Sequence, residues 1–302
     1  MQKNKSYPKF KIFFFLFIFI IIFIIGYQIL GAARFETITA SQGEIIDGFW
    51  SNAVVVRDEK VFRAPKSGRA DLLEAEGDRI AVGEKVAAVK ANNGKKIIYN
   101  HKAGILSFAV DGLENTINSS TIDSLDLNKI DDYKANYKHR LTGRNINEGE
   151  ALYRIINNFD FHLIVPASKA QAERFRINEV VFVQEKKSQD MLRARIIDIK
   201  ADNQDNYYLF VKMDFFVPRW INVRRVNINF IKNIYRGIVI PRKAIFNQPS
   251  GQGVLKVSGY NEYQFQEITV IDSNQEAAVV EGVEIGDKII TNPEDFDYGR
   301  EG

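Results

Sequence analysis

The sequence predicts a mainly β chain tethered by one N-terminal transmembrane helix. Three observations predict it. The residues from Ile12 to Ala33 are an uncharged, strongly apolar run. Short runs that alternate apolar and polar residues follow it, separated by turn residues, as half-buried strands require. A set of glycines recurs at matched spacing in two neighbouring stretches.

The run opens IFFFLFIFIIIFII and holds 22 residues. As a helix rising about 1.5 Å per residue it reaches about 33 Å, enough for a hydrocarbon core of about 30 Å. Its β-branched and aromatic residues would suit a strand in water. In lipid the backbone must satisfy its own hydrogen bonds, which selects a helix. Lys3, Lys5, Lys9 and Lys11 precede it without an acid, whereas Arg34 and Glu36 balance on the far side. The positive-inside rule then leaves residues 1–11 as a cytoplasmic tail and places everything after Arg34 outside. A cleaved signal peptide ending near Gly31-Ala32-Ala33 is the competing reading. Both send the body of the chain across the membrane.

After the anchor come AVVVR, KVAAVK, KKIIYN, GILSFAV, FHLIVPA, EVVFVQ, RARIIDI, YYLFVKMDFF, VNINFI, GIVIP, GVLKV, EITVI, AAVVEGV and DKIITN. Helical signals are few. Ser168 is placed to cap a short helix, SKAQAERFR. Thr121–Leu141 reads as one exposed helix or a loosely ordered excursion. Residues 294–302 form a tail.

The glycine repeat gives the organisation. The first copy carries Gly68, Gly77 and Gly83-Glu84, and the second Gly104, Gly112 and Gly149-Glu150. The first two glycines are 9 positions apart in one copy and 8 in the other; the last two are 6 and 37 apart. About 31 residues are therefore inserted into the second copy, within residues 113–146. Asn93-Gly94, at the junction of the copies, is a strong hairpin signal. Two such β repeats joined by a hairpin bury each other's apolar faces in one small sandwich.

These features together resemble the HlyD-type periplasmic adaptor, or membrane fusion protein, family. The residues that carry the likeness are the anchor, Arg63-Ala64-Pro65-Lys66-Ser67-Gly68 with Glu76-Gly77-Asp78 and Gly83-Glu84-Lys85-Val86, the second glycine copy, and a C-terminal series. That series is Val239-Ile240-Pro241-Arg242-Lys243-Ala244-Ile245, Gly253–Val257, Glu281-Gly282-Val283 and Gly286-Asp287-Lys288-Ile289-Ile290. The resemblance implies a lipoyl-like barrel-sandwich hybrid over residues 61–157, a small β-barrel over 158–234, and a membrane-proximal β domain made of 37–60 with 235–293. It also implies an adaptor subunit of an efflux or secretion system, homo-oligomeric and partnered with an inner-membrane transporter. A long α-helical hairpin that many relatives carry between the two halves is replaced by a few residues around Ala91–Lys96. That departure keeps a second reading in view, an envelope scaffold at division or wall-synthesis machinery.

Composition excludes other classes. With no cysteine there is no disulfide framework and no thiolate chemistry. The three histidines have no second histidine at metal spacing, and His162 in FHLIV reads as structural. Forty-one basic residues less the four N-terminal lysines leave 37 against 38 acids, so nucleic acid is not an expected partner. Gly77–Lys85 is not a phosphate loop, because its second glycine is followed by Glu-Lys. Neither an enzyme nor a cofactor is expected. Lys95 and Lys96 sit where a modified lysine would stand in a lipoyl domain, but Asn-Asn-Gly-Lys-Lys lacks that motif's neighbours.

One segment is a candidate contact surface. Phe215–Asn261 contains no acid and eight bases, among them Arg219, Arg224, Arg225, Lys232, Arg236, Arg242 and Lys243, with Trp220 and Tyr235 interleaved. It reads either as a face toward anionic headgroups or an acidic partner, or as bases that strands point in several directions toward acids from elsewhere. Trp50 is a further candidate contact. The acids Glu114, Asp123, Asp126, Asp131 and Asp132 of the insertion lack the glycine and final glutamate of a calcium loop and read as a solvated face.

Overall fold

The computed structural model describes residues 14, 17–20, 36–92, 94–249, 251–259 and 262–293. Apart from helical Phe14 and Phe17–Ile20, the expected anchor lies outside these residues, as do the two tails. Among the described residues no helix is long and apolar enough to cross a membrane. The fold is mainly β. It divides into two compact units, Ile46–Ile234 and a unit made from the residues before and after it.

Within Ile46–Ile234 two β modules are built in succession. The first is a sandwich. Its four-stranded antiparallel layer has the order Asn145–Ile146, Gly68–Leu72, Lys85–Ala91, Gly94–Tyr99. The other layer joins Arg79–Ile80, Gly104–Ser107, the start of Ala151–Ala167 and the end of Ser41–Arg63. Ala70, Ile80, Val86 and Val89 from the first glycine copy meet Leu106, Ile146, Leu152 and Ile155 from the second in one core. The hairpin closes with Ala91 opposite Gly94. It therefore turns one residue earlier than the Asn93-Gly94 signal implies, and Lys95 and Lys96 stand in a strand.

The second module is a closed barrel. Ser41–Arg63, Ala151–Ala167, Tyr207–Met213, Met191–Ala201, Val180–Glu185 and Arg225–Pro241 pair in that order, and the last returns to the first. Closure removes free sheet edges. Phe49, Phe161, Phe175, Trp220 and Phe230 fill the interior among aliphatic residues. Ser168 caps the helix Lys169–Ala172 through a capping box with Gln171, as its position predicts, although the helix stops after one turn. Residues 46–60, expected with the terminal segments, belong here because Val54–Arg57 pair with Phe161–Ile164.

The inserted segment departs most from expectation. It forms two 3-10 turns, Ile122–Ser124 and Leu127–Lys129, rather than an exposed helix. Its Ile117, Ile122, Leu127 and Ile130 are buried against Val54, Val56, Ile164, Tyr208 and Phe210 on the outer face of the barrel wall. Alternate residues of one strand explain this. Ala53 and Val55 point to the barrel core, and Val54 and Val56 to the insertion. A wall apolar on both faces needs a cover, and the insertion supplies it. Its acids pin the edges: Asp123 pairs with Lys200 and Asp131 with Arg225. Ile130→Ala is expected to lower stability by about 2–5 kcal/mol, as for a buried core side chain. Solvated residues give changes of about 0.5 kcal/mol or less, so a denaturant melt of the full chain separates cover from excursion.

The unit made from both ends has Thr37–Thr39, Lys288–Ile290, Gly251–Gly259 and Phe246–Gln248 in one sheet, with Glu262–Glu267 also on Gly251–Gly259. The end of Arg225–Pro241 pairs with Ala277–Glu281, and that strand with Thr269–Ser273. Ala40, Ile240, Val254, Ile268, Val280 and Ile289 make its core. Thr291 donates its amide to the Glu36 carbonyl at 2.8 Å, and the Glu36 amide donates to Asn292 Oδ1 at 3.0 Å. The stretch beginning at Glu36 and the last described stretch therefore meet.

Candidate functional site

The two glycine copies fold onto each other by the same bonds taken twice. The Gly83 amide donates to the Asn100 carbonyl and the Asn100 amide to the Glu84 carbonyl, both at 2.8 Å. In the other copy the Gly149 amide donates to Ala64 at 2.9 Å and the Ala64 amide to Glu150 at 2.8 Å. Each turn thus clasps the strand entry of the opposite copy. The glutamates act alike too. Glu84 accepts from the Ala81 amide at 2.6 Å and Glu150 from the Asn147 amide at 2.7 Å. The Asn147 bond, its first favourable influence, holds the Glu150 carboxyl below its ordinary range.

The six glycines divide into two jobs. Gly77, Gly83, Gly112 and Gly149 have φ of +90°, +89°, +84° and +79° with open space around them. Gly68 and Gly104 permit close approach: an added Cβ would lie 2.3 Å from the Lys90 carbonyl oxygen and 2.4 Å from that of Ile156. Backbone cannot yield as a side-chain tip does. Alanine at either position is expected to destabilise the module by about 1–3 kcal/mol. Chemical denaturation of the two variants, with Gly237→Ala as a reference crowding only the Val279 side chain, checks this.

Where the sandwich adjoins the barrel, three arginines and three carboxylates are buried together. Arg57 and Glu59 come from one strand, Arg154 from the strand beside it, Asp111 from just before the insertion, Glu114 from its start, and Arg224 from the barrel. Arg224 grips Asp111 with two nitrogens at 2.6 and 3.2 Å and reaches Glu59 at 3.1 Å. Arg154 reaches Glu59 at 2.9 Å, Asp111 at 3.2 Å and Glu114 at 3.5 Å. Arg57 pairs with Glu59 and donates to the carbonyls of Trp220 at 2.6 Å and Val223 at 2.8 Å. Arg154 also binds the Ile221 carbonyl and Asn222 Oδ1.

Three positive and three negative groups balance, so burial leaves no net charge. Burial is the strongest influence on Asp111 and pushes its pKa up; hydrogen bonding and charge from Arg224 and Arg154 overcome it and hold the carboxyl below its usual range. Burial also opposes the charge on Arg224, but Glu59 and Asp111 raise its pKa. On Arg57 burial prevails, and its pKa is lowered. Glu59, Asp111 and Glu114 offer oxygens close enough for a metal ion. Their charge is already met by three guanidinium groups, so the donor set fits an ion-pair junction and not a cation site.

The candidate contact segment is dispersed by the fold. Trp220 is 1% exposed and Arg224 3% exposed, so neither is a surface contact. Both precede the strand 225–241, in a turn segment that carries these two side chains inward. Arg219 meets Glu185 and Asp190, Arg225 meets Asp131, and Lys232 meets Glu179. Arg236 meets Glu44 and Lys243 meets Glu36. Arg242 is exposed and donates to the Asn274 carbonyl. A segment without acids is therefore not a basic face; its acids come from elsewhere in the chain. Trp50 is exposed, whereas Glu114 is buried rather than solvated.

Arg57, Glu59, Asp111 and Arg154 did not stand out as site residues in the sequence. Their signal was there in part: a charge directly after Ala53–Val56, and another inside Leu-Tyr-Arg-Ile-Ile. A charged residue within a buried strand needs a partner. Which partners they find depends on contacts up to 166 positions apart, which no local pattern states.

Comparison with known proteins agrees with this geometry over one module. Residues 59–157 match the family model described as RND related, barrel-sandwich hybrid domain. Similar solved structures include ZneB from Cupriavidus metallidurans, with 11% identity, covering 86% of this chain and 92% of that one at a TM-score of 0.37. MacA from Actinobacillus actinomycetemcomitans has 12% identity, coverage of 85% and 99%, and a TM-score of 0.38. A putative efflux transporter from Bacteroides eggerthii has 14% identity, coverage of 88% and 96%, and a TM-score of 0.36. These whole-chain scores are low, so the assignment rests on the domain match and the bonds described above. No curated protein matches the chain. Residues 59–157 thus match an RND-related barrel-sandwich hybrid domain, and it is through this module that the chain resembles the membrane fusion, or adaptor, proteins.

Proposed function

We propose that the chain is a single-pass, membrane-anchored adaptor subunit of an efflux or secretion system, acting by binding and assembly. The observation that carries this reading is the barrel-sandwich hybrid built from two reciprocally clasped glycine copies. The apolar run 12–33 anchors it, with residues 1–11 in the cytoplasm and the bulk outside the cell membrane. Anchoring confines the chain to two dimensions and raises its effective concentration near a membrane transporter. Sister copies of the chain are the other expected partners.

A second reading, an envelope scaffold without a transported substrate, is favoured by one observation. Only residues 92 and 93 separate the strands that join the two halves, so this module carries no long arm toward a distant channel. Crosslinking of the full chain in native membranes, followed by mass spectrometry, decides between them. Recovery of an inner-membrane transporter selects the adaptor. Recovery of wall-synthesis or division proteins without a transporter selects the scaffold.

A further inference from the structure

The anchor and the ion pair at Glu36 place a narrow limit on which bases of its unit meet the bilayer. Only Arg34 and Phe35 separate Ala33, the end of the apolar run, from Glu36, the first residue bonded into the sheet unit. The three steps from Ala33 to Glu36 span at most about 11 Å. The headgroup layer on each side of the core is about 5–8 Å thick. Glu36 therefore lies at, or a few ångströms beyond, the headgroup layer. The Lys243 ammonium is 2.9 Å from the Glu36 carboxylate, and both side chains are well exposed, at 62% and 69%. Arg242, its neighbour on the same 3-10 turn Arg242–Ala244, is exposed as well.

We propose that Arg242 and Lys243 form a clamp for the phosphate of anionic phospholipid headgroups. The inference rests on the anchored reading above. Arg242 offers a planar fork suited to phosphate oxygens, and Lys243 a mobile point charge. The nearby acidic charge is Glu36, with Glu276 following Asn274 in the adjoining turn. An exposed pair such as Lys243–Glu36 holds weakly, so the ammonium exchanges the carboxylate for a phosphate with little loss. Arg224 takes no part, because it is buried in ion pairs with Glu59 and Asp111.

The absence of cysteine makes the test clean, since a single introduced thiol carries the only label. The full chain bearing Gln275→Cys, beside the Arg242 contact, is labelled with a fluorophore. It is reconstituted in vesicles of phosphatidylcholine, or of phosphatidylcholine with phosphatidylglycerol, doped with a headgroup quencher. Quenching is expected to be stronger in the anionic vesicles, and the double variant Arg242→Gln/Lys243→Gln is expected to lose that difference while keeping its melting midpoint. If the chain floats with the vesicles but the label at 275 ignores lipid charge, or the double variant keeps the difference, the clamp is overturned and the anchor stands. If the chain does not float with vesicles at all, the anchor fails and the clamp falls with it.

Discussion

Asp111→Leu is expected to lower the stability of the full chain by about 3–5 kcal/mol, because it strands a buried positive charge. Asp111 takes two bonds from Arg224 and one from Arg154, and its removal leaves three guanidinium groups facing two carboxylates. Arg224→Met alone is expected to do comparable harm by stranding the opposite charge. The double variant Asp111→Leu/Arg224→Met restores neutrality and is expected to recover most of the loss, giving a large coupling in a double-mutant cycle. Urea melts of the four proteins measure it. Additive losses without coupling would falsify the junction as a charge-balanced unit. Acid gives an independent check. The folded pKa of Asp111 lies below its unfolded value, so its contribution is fully present above about pH 4 and lost as pH falls through the folded value. Loss of the junction near neutral pH would contradict this.

Trp220→Ala is expected to cost about 3–5 kcal/mol. The ring stacks on Phe161 with centroids 6.1 Å apart, and its indole nitrogen donates to Glu185 at 3.1 Å. Its backbone carbonyl receives Arg57, so the ring's seat and the ionic junction share one turn. Trp220→Phe keeps much of the buried area and loses the Glu185 bond, and a smaller loss is expected. A surface tryptophan would behave oppositely: Trp50→Ala, at a position 54% exposed, is expected to leave the melting midpoint nearly unchanged. Intrinsic fluorescence separates the two rings, since only Trp50 is open to an aqueous quencher.

The glycine copies were legible because their causes are local. A turn at positive φ or a close strand approach admits little else, so the spacing pointed to two β repeats in one small sandwich with an interrupted second half, while the hybrid fold followed from the family resemblance. The cap at Ser168 was local in the same way. The insertion was misread because its apolar residues follow no single period: Ile117, Ile122, Leu127 and Ile130 are placed by 3-10 turns and loops over a wall already formed. Four consecutive buried residues at Ala53–Val56 held the clue, since a strand apolar on both sides demands two partners. The basic stretch left two readings open for a related reason. Charge counted along the chain ignores acids delivered by distant strands, such as Glu185 to Arg219 and Glu44 to Arg236.

The tight turn opposite Ala91 and Gly94 also has a bearing on how such chains diversify. Paired strand ends lie about 5 Å apart, and the free-energy penalty of closing a longer loop there grows only logarithmically with its length. Foreign sequence spliced at this point, a helical pair included, would leave both strands where they are. Reach is then a free variable, adjustable without renegotiating the rest of the architecture.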